Sequence, residues 1–128
     1  MMPALKKSLS SGYEAALTQV VDALKTEGFG VLTEIDVRDT LKAKLGIEFR
    51  RYKILGACNP PLAHRALQAE LDVGLMLPCN VVVYEDDAGR AVVTAVDPTQ
   101  TMAAQHAGLL PIAEEVRAKL ARVLERLT

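Results

Sequence analysis

The sequence predicts an α+β domain in which helices cover one face of a mostly antiparallel sheet. Three segments carry apolar residues at the three- and four-residue spacing of a buried helix face. Two Val-rich segments, 79–86 (CNVVVYED) and 90–97 (RAVVTAVD), flank the turn residues Asp87-Ala88-Gly89 and predict a hairpin. Long helices combined with hairpin-linked strands are typical of the α+β class.

Length and composition narrow the class of protein. A chain of 128 residues predicts one domain, residues 1–128, that can bury a core without disulfide bonds. The net charge of −1 argues against a nucleic-acid-binding protein. No apolar stretch reaches the roughly 20 residues that cross a bilayer, and the first residues lack a secretory signal pattern. We therefore expect a cytoplasmic protein without a membrane partner, whose two cysteines are thiols.

The first two elements are a strand and a helix. Residues 3–9 predict a short strand, although the pattern is weak. Ser11 and Glu14 have the spacing of a capping box, which predicts that a helix begins there, and Gly28 is a natural residue to follow its end. The apolar face of this helix consists of Tyr13, Leu17, Val20, Val21 and Leu24.

The next segments predict a strand, a short helix and a second strand. In residues 29–36, Phe29, Val31, Thr33 and Ile35 alternate with smaller or polar residues, as in a strand. Apolar residues four apart predict a short extra helix over 36–45 that ends at Gly46, with a long irregular connection as the alternative. The segment 47–57 predicts the following strand.

The remaining helices have clear start signals. Asn59 is a good N-cap and Pro60 suits the first position of a helix over 60–71. Pro78 precedes the hairpin, and 98–110 predicts a loop with one helical turn. Pro111 opens a final helix whose apolar face consists of Ile112, Val116, Leu120, Val123, Leu124 and Leu127.

The hairpin is apolar on both faces. Val81 and Val83 point to one side, whereas Val82 and Tyr84 point to the other. A sheet with one solvated face alternates apolar and polar residues, so something covers the second face here. We predict a homodimer through this second apolar face. The alternative is that the short helix and its loop cover the face within one chain.

Two Cys-Asn blocks carry a family resemblance. Gly56-Ala57-Cys58-Asn59-Pro60, Leu67, Leu77-Pro78-Cys79-Asn80-Val81 and Tyr84-Glu85 resemble the pattern of domain-of-unknown-function family 302. The resemblance covers nearly the whole chain. It implies a small, commonly dimeric α+β protein in β-α-β4-α order, in the TATA-binding-protein-like fold class. It implies no assigned activity, catalytic residue or cofactor, and the fold name carries no DNA-binding function.

The two cysteines are candidates for a thiol site. If the strands that end at Cys58 and begin at Cys79 are antiparallel neighbours, both cysteines lie at one end of the sheet; a parallel crossover would separate them. Cys58 also lies just before a predicted helix start, where free N–H groups favour a thiolate. An exposed Cys58 would be a nucleophile or a soft-metal ligand, whereas a buried one would be an inert apolar residue.

Four further residues have a structural and a functional interpretation. Asn59 and Asn80 could cap a helix and fix a loop, or contribute to a ligand site. His64 could complete a Cys-Cys-His set, but no fourth ligand for structural zinc stands at a recognised spacing. Glu85 is either a carboxylate on an apolar face, suited to act as a general base, or the solvated end of its strand. The identity of any metal or cofactor stays open.

The sequence supports two main functions. The first is a non-enzymatic module that binds a small ligand or a protein partner. The second is a redox-responsive or soft-metal-binding thiol site formed by Cys58 and Cys79. An acid–base enzyme using Glu85 is a third class with less support, because the chain carries no recognised catalytic motif.

Overall fold

The computed structural model describes residues 4–128 and contains five strands and five helices in those residues. The strands are β1 (Ala4–Ser8), β2 (Gly30–Asp36), β3 (Tyr52–Cys58), β4 (Cys79–Glu85) and β5 (Ala91–Val96). The helices are α1 (Tyr13–Thr26), α2 (Val37–Leu45), α3 (Pro60–Ala69), α4 (Met102–Gln105) and α5 (Leu110–Glu125). Two 3₁₀ turns, Leu71–Met76 and Ala107–Leu109, complete the order.

The five strands form one antiparallel sheet in the order β1-β5-β4-β3-β2. Strands β2 to β5 are a meander, and β1 joins the far edge beside β5. Helices α1, α3 and α5 pack together with the sheet around one core. The predicted α+β class, with an extra short helix between strands, is therefore confirmed. No helix within residues 4–128 is both long enough and apolar enough to cross a membrane.

Side-chain alternation decides which sheet residues enter the core. On β3, β4 and β5 the core-facing residues are at most 6% exposed: Leu55, Ala57, Cys79, Val81, Val83, Ala91, Val93 and Ala95. The predicted face of α5 is buried against them, with Leu120 fully inaccessible. The core is mostly aliphatic, with Tyr13 and Phe29 as its buried aromatic residues, so most of its stability comes from area removed from water rather than from aromatic pairs.

Several predicted element ends are confirmed. Asn59 caps α3 as predicted. Asp36 precedes α2 and caps it by accepting a hydrogen bond from the Asp39 amide, so the helix begins one residue later than predicted. Gly28 and Gly46 follow helices in the left-handed region, with φ of 82° and 67°. Each signal is local, because a cap acts within one turn of its own helix.

Two local predictions are wrong, and the predicted strand β2 contains an irregularity. The predicted capping box fails because Gly12 is the N-cap of α1 without a side-chain bond, while Ser11 accepts a hydrogen bond from Gln19. Residues 47–51 precede β3 rather than belong to it. A bulge between Val31 and Thr33 moves the later residues of β2 to the opposite face. Val31 therefore pairs with Ala57 on the core side, whereas Ile35 pairs with Ile54 on the other side.

The apolar side chains on the second face of the sheet, here called the open face, are Ile35, Tyr52, Ile54, Val82, Tyr84 and Val92. Val92 is 4% exposed, and the two tyrosines, Ile54 and Val82 are half-buried. The Tyr52 and Tyr84 rings stack with centroids 5.6 Å apart, and the Lys6 ammonium lies 6.0 Å from the Tyr84 ring. Ile35 is 50% exposed. Helix α2 connects β2 to β3 and buries none of its own residues.

The loop after β5 is tied to α5 by Asp97. Its carboxylate accepts hydrogen bonds from the Thr99 amide and hydroxyl, and from Arg117 Nε at 2.9 Å. Burial alone would raise the pKa of Asp97, but the hydrogen bonds from Thr99 and Arg117 outweigh burial and lower it. The anchored loop then carries α4, whose Met102 is 3% exposed, into the core.

Candidate functional site

An apolar cavity of about 310 Å³ lies where α3, α5 and α4 meet the ends of β3 and β4. Helix α3 contributes apolar side chains, with Leu62 and Ala66 buried. No charged residue lines the cavity. The lining residues are Phe29, Leu32, Ala57, Cys58, Asn59, Leu62, Ala63, Ala66, Leu67, Leu77, Pro78, Cys79, Met102, Ile112 and Val116. Its volume is at the lower end of the range for small-molecule sites, about 300–1,000 Å³.

Both cysteines line this cavity. Ala57 pairs directly with Cys79, so Cys58 stands one residue beyond the pair at the same end of the sheet. The meander produces this result, because antiparallel neighbours joined through α3 end and begin at a common edge. The antiparallel alternative, rather than the parallel crossover, is therefore the correct one.

The two thiols differ in exposure. Cys58 is half-buried, whereas Cys79 is 6% exposed. Burial, together with the neighbouring Cys58, raises the pKa of Cys79 to about 11. At neutral pH the Cys79 thiol is therefore almost entirely protonated, and Cys58 is the more accessible sulfur.

Asn59 has a structural role at the cavity wall. The side chain is buried, and its Oδ1 accepts a hydrogen bond from the Leu62 amide, which caps α3. Its Nδ2 donates to the Glu27 carbonyl oxygen at 3.1 Å, which joins the start of α3 to the end of α1. Both functional groups of this amide are therefore engaged within the fold.

The start of α3 offers Cys58 no free N–H group. Pro60 and Pro61 have no amide hydrogen. The amides of Leu62 and Ala63 donate to the side chain and the carbonyl oxygen of Asn59. The free N–H groups expected beside Cys58 are therefore not available in this first turn, because the prolines lack them and the Asn59 cap uses the next two.

The other predicted site residues lie away from the cavity. His64 is exposed on α3 and does not line the cavity. Asn80 is exposed and pairs with Gly56, on the strand face opposite to Cys79. Within residues 4–128, no group of three or more His, Cys, Asp or Glu side chains is placed to hold a metal ion. The structure therefore does not assemble the Cys-Cys-His set.

Glu85 lies at the far end of β4 from Cys79. Arg50 donates hydrogen bonds to the Asp87 carboxylate and to the carbonyl oxygen of Glu85, and not to the Glu85 carboxylate. Arg51 pairs with Glu14. Glu85 is thus separated from the cavity by the length of a strand, as expected for a polar strand end.

Sequence reasoning missed most of the apolar lining. Leu32 was assigned to the strand without a site role, yet it is 69% exposed and lines the cavity because the bulge in β2 reorients it. Met102 reaches the cavity only because the Asp97-anchored loop folds back. Hydrophobic periodicity identifies buried faces but does not separate a cavity wall from packed core.

Comparisons with known proteins agree with the fold. The family model described as "Domain of unknown function DUF302" matches residues 5–127. A search of the curated proteins finds no match. An uncharacterized conserved DUF302 protein from Bacillus stearothermophilus, known from its crystal structure, is 33% identical over 100% of both chains, with a TM-score of 0.91. The chain therefore belongs to the DUF302 family.

Proposed function

We propose that this protein is a non-enzymatic module of the cytosol that binds a small, uncharged, apolar ligand in the cavity beside α3. The observation that carries this proposal is the cavity itself, which is open to solvent yet lined almost entirely by apolar residues, with two cysteines and one methionine among them. A charged ligand would lose its hydration there without gaining an ion pair. An apolar ligand loses nothing comparable, because each apolar contact removes area from water.

The surroundings of the cavity support the same ligand class. Leu32 and Leu67, at the edge of the lining, are 69% and 36% exposed. In the adjoining 3₁₀ turn, Leu71 and Leu75 are 83% and 87% exposed. This turn lies along the chain between two lining residues, Leu67 and Leu77. Exposed apolar side chains that form one patch mark a binding surface. An apolar ligand that extends past the cavity would meet further hydrocarbon.

Filling the cavity tests the proposal. Ala63 lines the cavity from α3, and Ala63→Phe would place a ring in the space that the ligand needs. We expect the affinity for the uncharged probe N-phenyl-naphthylamine, measured by fluorescence titration, to fall by at least about tenfold, or about 1.4 kcal/mol. The control is Ala69→Phe, which adds the same ring at an exposed position of the same helix.

Far-UV circular dichroism must show the same helix content in both variants. Wild-type protein that does not bind the probe would contradict the proposal. Equal affinity in the Ala63→Phe and Ala69→Phe variants would do so too, because it would place the probe elsewhere.

We also propose that two copies associate through the open face. Ile35 is 50% exposed there, and Ile47 and Phe49, which lead into β3, are 45% and 41% exposed. Helix α2 buries none of its residues and leaves Ile35 accessible. A second copy that pairs through the same face would remove these apolar side chains from water, as in a symmetric dimer interface.

Light scattering coupled to size exclusion measures the association directly. We expect a dimer for the wild type and a monomer for Ile35→Asp, because the carboxylate would be buried without a partner in the interface. Leu75→Asp, at an 87% exposed position beside the cavity, should remain a dimer. A wild-type monomer at all concentrations would exclude this association.

A soft-metal thiol site is the second candidate function. The observation that favours it is that both sulfurs line one cavity. Copper(I) accepts a small number of soft ligands, so two thiolates suit it better than they suit zinc. Titration of the reduced protein with copper(I), in competition with a chelator, is expected to show one bound ion per chain. Each of the single substitutions Cys58→Ser and Cys79→Ser should abolish this binding. Unchanged binding in both variants would exclude the site.

A further inference from the structure

A second pocket, of about 200 Å³, lies at the opposite end of the sheet from the apolar cavity. It is found where β2 ends and the chain enters β3, whereas the cavity is found where β2 begins and β3 ends. The starts of α1 and α2 complete its wall. Its lining residues are polar: Tyr13, Glu14, Asp36, Arg38, Asp39 and Arg51. Side chains of both charges therefore surround one small space.

The hydroxyl group of Tyr13 has no hydrogen-bond partner within residues 4–128, although this side chain is only 6% exposed. Arg51 lies against the ring, with its guanidinium carbon 6.0 Å from the ring centroid, and it contacts the Glu14 carboxylate at 3.5 Å. In the described part of the chain, every fully buried side-chain nitrogen or oxygen atom has a partner. The unpaired hydroxyl is therefore the part of Tyr13 that reaches the pocket.

Three charged groups of the pocket are also unpaired. Arg51 and Glu14 neutralise each other, whereas Asp36, Arg38 and Asp39 form no ion pair among the described residues. Asp36 Oδ1 accepts the hydrogen bond from the Asp39 amide that caps α2, which leaves its Oδ2 available. Over residues 4–128 the carboxylates do not converge on a position for a metal ion. The unpaired groups therefore suit a ligand with charges at separate points.

We propose that this pocket binds a small zwitterion that carries one ammonium group and one carboxylate group. Asp36 and Asp39 accept hydrogen bonds from the ammonium group, and Arg38 donates hydrogen bonds to the ligand carboxylate. The Tyr13 oxygen accepts a further hydrogen bond from the ammonium group. A ligand with only an ammonium group would leave Arg38 unpaired, and one with only a carboxylate would meet like charges at the two aspartates.

The surroundings of the Tyr13 hydroxyl favour an ammonium group there. Burial, followed by the negative charges of Asp36 and Glu14, raises the pKa of Tyr13 to about 12. These charges make the space beside the hydroxyl attractive to a cation. The pocket is smaller than the roughly 300–1,000 Å³ of sites for drug-sized ligands, so we expect a ligand of few atoms. The site is separate from the apolar cavity and does not depend on the function proposed above.

Titration followed by amide NMR shifts tests the inference. The probes are glycine, β-alanine and γ-aminobutanoate, which place the same two charges at increasing separations. At least one of them is expected to cause saturable shifts of the amides of residues 13–14 and 36–39. The amine and the carboxylic acid with the same carbon chain as the tightest probe should each bind at least about fivefold more weakly.

Three variants locate the binding. Tyr13→Phe keeps the buried ring and removes only the hydroxyl, so it should weaken the tightest probe at least about fivefold without lowering the urea midpoint of unfolding. Asp39→Asn should also weaken it, while the Asp39 amide still donates to Asp36. The control is Asp22→Asn, which removes the same charge from an exposed position of α1 outside the pocket and should keep wild-type affinity.

The inference is overturned if none of the three probes causes saturable shifts at these amides. It is also overturned if the matched amine or acid binds as tightly as the zwitterion, or if Tyr13→Phe keeps full affinity. A lower urea midpoint in Tyr13→Phe would contradict it as well, because the hydroxyl would then serve the fold rather than a ligand.

Discussion

Replacing Asn59 by alanine is expected to lower the free energy of unfolding by about 2 kcal/mol. The N-cap bond to the Leu62 amide accounts for about 1 kcal/mol of this. The hydrogen bond from Nδ2 to the Glu27 carbonyl oxygen accounts for roughly another 1 kcal/mol, since the loss leaves a part-buried acceptor without its donor. Urea unfolding monitored by circular dichroism measures the change.

The second Cys-Asn block provides the matched control. Asn80 is exposed on β4 and does not line the cavity, so Asn80→Ala should change the free energy of unfolding by less than about 0.5 kcal/mol. For Asn59→Asp we expect a loss of unfolding free energy between those of Asn59→Ala and Asn80→Ala. Aspartate retains the oxygen that caps α3, but it cannot donate a hydrogen bond to the Glu27 carbonyl oxygen. Equal losses at the two asparagines would contradict the structural role assigned to Asn59.

Replacing Gly56 by valine is expected to lower the free energy of unfolding by about 3 kcal/mol, although valine is a better strand former than glycine. A Cβ on Gly56 would lie 2.7 Å from Pro78 Cγ and against the Thr33 hydroxyl oxygen. Overpacking of this kind displaces β2 and the residues before β4, and the resulting strain exceeds the gain in strand propensity. Urea unfolding at constant m-value checks the prediction.

Gly30 offers the same substitution without the clash. It begins β2, and nothing stands within 4 Å of a Cβ built there. Gly30→Val should therefore leave the free energy of unfolding within about 0.5 kcal/mol of the wild type. A similar loss in both variants would mean that glycine is required for its backbone freedom rather than for the space beside Thr33 and Pro78.

The candidate site was only partly predictable. The cysteine pair was predicted to lie at one end of the sheet if the strands were antiparallel, and the observed register places Cys79 opposite Ala57. The amides expected to be free beside Cys58 are occupied, because those that follow Pro60 and Pro61 donate to Asn59. Strand pairing fixes the relative positions of residues on adjacent strands, such as the two cysteines. The groups that surround one sulfur atom, in contrast, come from several elements of the fold.

The sequence by itself determined the order of the main elements, the α+β class, the Asn59 cap and the apolar face of α5. These features follow from periodicity and capping, which act within a few residues. Only the tertiary structure decided that Leu32 turns toward α3 and that Met102 returns to the same cavity. The position of Leu32 depends on the bulge in β2 where it pairs with β3, and the position of Met102 depends on the contact between Asp97 and Arg117. Both interactions join residues that are distant along the chain. A local pattern does not encode the space between elements, and that space is where the candidate site lies.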